Sequence, residues 1–205
     1  MPDSADTDGH VTAVVLAAGT SSRLGTPKQL LDLNGKPVLR HVVEALAEAP
    51  VEEIVVVLGH RADEVKPAIA GAKVRVVVNP DYQEGQSTSL RTGLMAASQA
   101  SRAAVILLGD QPGLRPAAVR AVIRAWQDGG TVAVQASYSG VPGHPVLFDR
   151  SIWPQLSRAE GDEGARGVLA AHPEWRTLIE VGGDPPLDID TADDYDRVRE
   201  QFKGV

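Results

Sequence analysis

No cysteine occurs anywhere in the 205 residues, which removes a disulfide scaffold, a thiolate metal site and a cysteine nucleophile while leaving the compartment open. Positive charge is scarce too: 20 Lys and Arg against 27 Asp and Glu leave a formal net charge of -7. Such a chain has no broad electrostatic grip on nucleic acid or anionic lipid, so a bound anion must be held by a few focused cations. Long apolar runs are missing. The longest, Val11 to Ala18, is broken by Thr12 and falls far short of the roughly 20 residues that cross a bilayer. Residues 1–10 carry Asp3, Asp6 and Asp8 and no apolar stretch, the opposite of a secretory signal or basic transit peptide, and read as a disordered lead. Internal repeats, low-complexity tracts and linkers are absent. The expectation is a soluble, cytoplasmic protein that engages neither nucleic acid nor membrane.

What is present is a steady supply of apolar residues, 43% of the chain, enough for one core in a domain of about 100–200 residues. A single domain over 11–205 is expected. Short β-branched runs alternate with stretches of helical period, the order that produces an α/β fold: a mostly parallel sheet with helices on both faces. Strands are expected at Val11–Leu16, Glu53–Leu58, Lys73–Val78, Ala103–Leu108 and Thr131–Ala136, nearly continuous in apolar residues as strands buried on both faces are. Between them, Pro37 opens a helix with the stripe Val38, Leu39, Val42, Val43 and Leu46. A second helix near 62–69 contains Pro67 and must be short or kinked. A third starts near Ser87 with a stripe through Leu90, Leu94 and Ala97, and a fourth runs from Pro116 to Asp128 and stops at Gly129-Gly130. After Ala136 the rhythm changes: residues 139–143 are turn-rich, and His144–Phe148 reads as a strand free to leave the parallel order. Two more helices follow, one from Asp162 or Gly164 to Ala171 and one from Thr191 to Gln201, where Thr191 and Asp194 form a capping-box pattern.

Directly after the first strand comes a small-residue loop, Leu16 to Lys28, that ends in Arg23 and Lys28. Backbone N–H groups in such a loop can approach a ligand, and the two cations suit phosphates. It is not a Walker loop, since Leu24 stands where a glycine is needed, and no Gly-x-Gly-x-x-Gly order is present. A plain connecting loop with solvated cations is the bland reading. Its position decides against that, because loops at the carboxyl end of the first strand of an open α/β sheet line the ligand crevice. Asp110, after the fourth strand, reaches the same crevice edge and suits a hard cation that takes one or two carboxylates plus phosphate oxygens; alone, it also reads as a turn or N-cap aspartate. A second acidic cluster, Asp188-Ile189-Asp190-Thr191, offers the other ligand or simply caps the last helix.

These segments match a known pattern. Leu16-Ala17-Ala18-Gly19-x-Ser21-x-Arg23-Leu24-Gly25-x-x-Lys28 is followed by Gln29-Leu30-Leu31, then Asn79-Pro80 and Gly85-Gln86-Ser87-Thr88-Ser89-Leu90, then Asp110-Gln111-Pro112. Later come Tyr138-x-Gly140-x-x-Gly143-His144-Pro145, Gly161-Asp162-x-Gly164-Ala165-Arg166 and Asp188-Ile189-Asp190-Thr191. In this order and spacing, over nearly the whole chain after residue 11, the sequence resembles the molybdopterin nucleotidyltransferase-like branch of the Rossmann-like nucleotidyltransferases, and within it the CTP:molybdopterin (molybdenum cofactor) cytidylyltransferases. The resemblance implies a three-layer Rossmann-like nucleotidyltransferase fold, with a nucleotide half at 11–136 and an acceptor half at 137–205. It further implies that Ala17, Ala18, Gly19 and Ser21 wrap the nucleotide, that Arg23 and Lys28 meet its phosphates, and that Asn79, Gly85 and Ser87 lie against base and ribose. Asp110 with Asp190 or Asp188 would hold Mg²⁺. Gly140, Gly143, His144, Asp162 and Arg166 would serve the acceptor, although His144 also reads as a structural histidine and Arg166 as a partner of Asp162 or Glu163. CTP and a molybdopterin-type acceptor are the implied substrates, and a molybdenum hydroxylase apoenzyme the implied downstream partner.

Three relatives share the first motif: the guanylyl cousins, the sugar-phosphate nucleotidyltransferases and the methylerythritol phosphate cytidylyltransferases. Ala17-Ala18-Gly19 in place of Ala-Gly-Gly, and Thr26-Pro27-Lys28 in place of Gly-Asp-Lys, are in the cytidylyl style. A non-catalytic chaperone for a pterin cofactor would not need Asp110, Arg23 and Lys28 together. Leu24 replaces the usual Met, a volume-conserving exchange.

Overall fold

A computed structural model describes residues 10–203, so the expected disordered lead lies, apart from His10, outside the described residues. The chain runs β1 (Val11–Ala17), a two-residue hairpin β2 (Asp32–Leu33) and β3 (Lys36–Pro37), α1 (Val38–Ala47), β4 (Glu53–Leu58), α2 (Ala62–Val65), β5 (Arg75–Val78), α3 (Gln86–Ala96), β6 (Ala103–Leu108) and α4 (Pro116–Gln127). The later part adds β7 (Ala133–Tyr138), β8 (Val141–Asp149), α5 (Trp153–Leu156), α6 (Arg166–Ala171), β9 (Arg176–Glu180) and α7 (Ala192–Phe202).

Seven strands form one sheet in the order β5-β4-β1-β6-β8-β7-β9. β1 lies in parallel register between β4 and β6, Val15 opposite both Val56 and Leu107. Because side chains alternate along a strand, β1 sends Ala13, Val15 and Ala17 to one face, against α1 and α4, and Val14 to the other, against α3. β6 does the same with Val105 and Leu107 on one side and Ala104 and Ile106 on the other. Two apolar layers result, one on each sheet face, and each fully buried Val or Leu contributes about 1.5–3 kcal/mol relative to an exposed one. The expected α/β sandwich, mostly parallel with helices on both faces, is the observed architecture. α3 can lie close on β1 because Gly93 offers no Cβ to strike Val14. Among the described residues no helix is long and apolar enough to cross a membrane.

The sheet departs from the expected plan beyond β6. The fifth strand begins at Ala133 rather than Thr131, whose hydroxyl donates instead to the carbonyls of Ala133 and Trp175. It does not neighbour β6: β8 lies between them, antiparallel to both. β9 then pairs in parallel with β7, and neither β9 nor the β2–β3 hairpin nor α5 was expected. β9 escapes notice because Arg-Thr-Leu-Ile-Glu is an edge strand, mostly exposed, with no apolar run. β5 starts at Arg75 rather than Lys73, since residues before it form a turn. Other expectations hold. α2 ends at Val65 and passes into a 3-10 turn carrying Pro67, and Thr191 and Asp194 make the reciprocal capping bonds at the start of α7.

A third small cluster, Leu33, Val38, Ile189 and Val198, fastens α7 and the segment before it to the β2–β3 hairpin. Its consequence is functional. Burial of Ile189 anchors the two aspartates that flank it beside the carboxyl ends of β1 and β6.

Candidate active site

The loop leaving β1 is shaped by its own backbone. Ser21, at φ 52, accepts at its carbonyl from the N–H groups of Leu24 and Gly25, and its hydroxyl accepts from Lys28 N–H at 3.0 Å. Ser21 is therefore a loop brace that fixes where Lys28 begins. Gln29, 2% exposed, donates from Nε2 to the Ala17 carbonyl at 2.9 Å, and its Oε1 is buried without a partner among the described residues. Behind the loop, Gly59 leaves room for Ala18, whose carbonyl accepts from His60 N–H. A Cβ on Gly19 would meet nothing within 4 Å, so that stretch of backbone stands open. Arg23 is exposed and has no ion pair or hydrogen bond among the described residues.

The charge centre lies where β1 and β6 end side by side, which Gly109 permits by having no Cβ to strike Ala17. Lys28 Nζ is shared between two carboxylates, pairing with Asp110 and donating to Asp190 Oδ1 at 2.8 Å. Burial opposes the charge on Lys28, but Asp110 and then Asp190 outweigh it and hold its pKa above the ordinary lysine value. Burial pushes the Asp110 carboxyl up, Lys28 offsets this and Asp188 adds to it. One ammonium held by two carboxylates favours the ionised arrangement at neutral pH. Asp188 instead accepts from Gln111 Nε2 at 2.8 Å, so the structure brings Asp190, not Asp188, to Lys28.

Two carboxylates converging on one cation also meet the needs of a hard divalent ion, which takes one or two protein carboxylates when phosphates and water complete its shell. Among the described residues no group of three or more His, Cys, Asp or Glu is arranged to hold a metal alone. Asp110 and Asp190 fit a cation that arrives with a polyphosphate.

Two cavities meet over these strand ends, sharing Leu16, Gln86 and Leu108 in their walls. The smaller, about 340 Å³, is lined by Ala18, Gly19, Lys28, Gln29, Tyr82, Gly85, Asp110 and Asp162. The larger, about 890 Å³, has an apolar floor of Leu90, Ile106, Val146 and Phe148 and a polar rim that includes Gln135, His144, Arg166, Arg176 and Asp188. Each draws on both parts of the chain.

The remaining expected residues fall into place unevenly. Asn79 is buried and spends its side chain internally, donating to Thr88 Oγ1 at 2.8 Å and Ser89 Oγ at 3.0 Å and accepting from Asp81 N–H. It braces the turn that carries Tyr82. Gly85, at φ 111, lies in the wall of the smaller cavity, and Ser87 is buried in the first turn of α3. Gly143 and His144 line the larger cavity, but Gly140 sits at the tip of the β7–β8 hairpin, its N–H donating to Glu180, in neither wall. Arg166 opens α6 into the larger cavity, whereas Asp162 lines the smaller one. Burial drives the His144 imidazole down to about 4; Asp110 opposes that and Arg166 reinforces it, so the ring is neutral near pH 7. Among the wall residues that carried no expected role are Gln29, Tyr82, Gln86 and Arg176. Gln29 was signalled by its place next to Lys28 in the matched pattern. Nothing local marked Arg176, because the edge strand that delivers it has no apolar pattern.

Comparison with known proteins identifies the family and the fold. A family model described as the MobA-like NTP transferase domain matches residues 13–175. A nicotine blue oxidoreductase of Paenarthrobacter nicotinovorans is 32% identical over 200 residues, covering 94% of this chain and 95% of that protein. The molybdenum cofactor cytidylyltransferase of Escherichia coli is 26% identical over 196 residues, covering 95% and 98%. Among solved structures, Rv0371c of Mycobacterium tuberculosis superimposes with a TM-score of 0.86 at 36% identity, covering 93% of this chain and 97% of that one. The manganese complex of the same protein gives 0.82 at 34% identity, with coverage of 93% and 98%.

Proposed function

Since the chain belongs to the MobA-like NTP transferase family, we propose that it is a nucleotidyltransferase that moves CMP from CTP to a phosphorylated, molybdopterin-type acceptor and releases pyrophosphate. The carrying observation is that two cavities adjoin through the shared wall residues Leu16, Gln86 and Leu108, with Lys28 and Asp110 in the wall of the smaller and Asp190 paired to that same lysine. One cavity takes the triphosphate nucleotide and the other the acceptor, so the acceptor's terminal phosphate oxygen is aligned with the α-phosphorus. The new P–O bond forms as the bond to the β-phosphate oxygen breaks, and pyrophosphate carries the charge away. Positioning and charge neutralisation govern such a step, and an already ionised phosphate needs no strong general base. A neutral His144 is consistent with that. Asp110 and Asp190 would hold Mg²⁺, which when bound supplies neutralisation of the triphosphate. Lys28 and Arg23 would stabilise the departing pyrophosphate by charge-assisted hydrogen bonds.

The apolar floor of the larger cavity suits a flat heterocycle, and Arg166 and Arg176 suit its phosphate. The cytidylyl relative, similar over almost its whole length, supports CTP and the pterin acceptor, and a molybdenum hydroxylase apoenzyme is the recipient that this reading implies. The test is a pyrophosphate-release screen of the four NTPs against molybdopterin-type and sugar-phosphate acceptors. Release only with CTP and the pterin acceptor is the expected result; release with a sugar phosphate alone would overturn the acceptor. A second reading, an oxidoreductase built on this scaffold, is favoured by the 32% identity to the nicotine blue enzyme. It requires redox turnover of nicotine blue with an electron donor or acceptor, which the transferase reading does not.

A further inference from the structure

We propose that Asp162 reads the sugar of the bound nucleotide, accepting hydrogen bonds from the ribose 2′- and 3′-hydroxyls. This rests on the nucleotidyltransferase reading and moves Asp162 from the acceptor to the nucleotide. Placement comes first. Gly85, at φ 111, is pressed against the 161–164 turn so closely that a Cβ there would stand 2.5 Å from the Gly161 carbonyl oxygen and 2.8 Å from Asp162 N. Gly164, at φ 55, makes a second close approach, where a Cβ would stand 3.1 Å from Gln86 Oε1. Backbone contact between the two segments sets Asp162 into the wall of the smaller cavity, with Gly85 and Gln86, and outside the wall that contains Arg166.

Its chemistry comes next. Asp110, Asp188 and Asp190 each have a side-chain partner, while Asp162 is exposed and makes no hydrogen bond or ion pair among the described residues. Among the described residues Lys28 is the one cation in this wall, and together with the open backbone at Gly19 it marks where the phosphates lie. An unpaired carboxylate repels phosphate, so Asp162 must face the uncharged end of the nucleotide. A carboxylate accepts hydrogen bonds and donates none. The ribose diol presents two adjacent donors to its two oxygens whichever base is attached, the use that dinucleotide sites make of an acidic residue toward a ribose hydroxyl.

Calorimetric titration of CTP and 2′-deoxy-CTP, with Mg²⁺, into wild type, Asp162→Ala and Asp162→Asn tests this. Wild type should prefer the ribonucleotide by about 10-fold or more, as expected for hydrogen bonds to a charged group. Asp162→Ala should abolish the preference and Asp162→Asn retain part of it. A loosened turn or relief of phosphate repulsion would shift both affinities together, so the ratio is the readout. An unchanged ratio in Asp162→Ala overturns the assignment, as does a raised acceptor KM with both nucleotide affinities unaltered. If no NTP binds the wild type, the nucleotidyltransferase reading itself fails, which is a different outcome from NTP binding with an undisturbed ratio.

Discussion

Lys28 is the residue on which the site turns, because its ammonium occupies the point where two carboxylates converge. In the proposed reaction it must leave them for phosphate oxygens when the metal-bound nucleotide arrives. It therefore has two effects of opposite sign. Lys28→Ala should slow pyrophosphate release by about 10- to 100-fold, the range for losing a hydrogen bond to a charged group. The same change should let the nucleotide-free protein bind Mn²⁺ more tightly, measured by electron paramagnetic resonance, since the competing cation is gone and Asp110 and Asp190 are left to repel each other. Unchanged Mn²⁺ affinity would show that Lys28 does not guard the carboxylates. His144 provides the pH-dependent counterpart. Its folded pKa of about 4 lies below the ordinary 6.5, so the unfolded chain binds the proton first. The stability that neutral His144 contributes is complete above pH 6.5 and is lost as the pH falls toward 4. A His144→Gln variant should flatten the fall in unfolding free energy over that window, followed by urea titrations at several pH values.

At the scale of elements, the start of α7 links stability to chemistry. Thr191 accepts from Asp194 N–H, and Asp194 Oδ2 accepts from Thr191 N–H at 2.9 Å, two reciprocal bonds immediately after Asp190. Thr191→Ala should lower stability by about 1 kcal/mol, the usual cost of losing an N-cap. It should also let Asp190 drift from Lys28, raising the KM for metal-bound nucleotide several-fold while the acceptor KM stays near its starting value. Thermal unfolding and steady-state kinetics on one preparation separate the two effects. A stability loss with wild-type kinetics would mean that Asp190 is held by Ile189 alone, through its burial against Leu33, Val38 and Val198. Elements also explain what the glycines do: Gly109 lets β6 end against β1, and Gly93 lets α3 lie on the sheet. Both bear on how closely the elements around the crevice pack without lining either cavity.

At the scale of the whole molecule, a net charge of -7 surrounds a site that in the proposed reaction collects polyanions, and that proposal assigns much of the acceptor recognition to the arginines of the larger cavity. Arg166→Ala and Arg176→Ala should each raise the apparent KM for the acceptor about 10-fold, with the NTP KM changed less than twofold. Equal effects on both substrates would mean that the two cavities do not divide the substrates between them. The proposal also distributes base choice over several segments. The Ala18 methyl lies over Gly59, so Ala18→Gly with Pro27→Asp should erode a preference for CTP over GTP only in part, read as the ratio of kcat/KM values. A wild type that prefers GTP would move the guanylyl alternative ahead.

Local pattern alone determined a good deal of this protein. β1, β4 and β6 were legible because strands buried on both faces must be continuously apolar, and α1 and α4 because one buried face leaves a stripe. The break of α2 at Pro67 and the Thr191 cap followed from local geometry, and the place of the Leu16–Lys28 loop in a cavity wall from its position after the first strand. Tertiary structure decided the rest. β8 wedges between β6 and β7, β9 joins as a half-polar edge, and Asn79 turns inward to brace a loop. Asp162 passes to the smaller cavity because Gly85 lets two backbones touch, and Asp190 rather than Asp188 reaches Lys28 across 162 residues of chain. The physical reason is that periodicity records which face of an element is buried. Which side chains meet across the crevice depends on how distant segments close on one another, and the energy of that closure resides in no single segment.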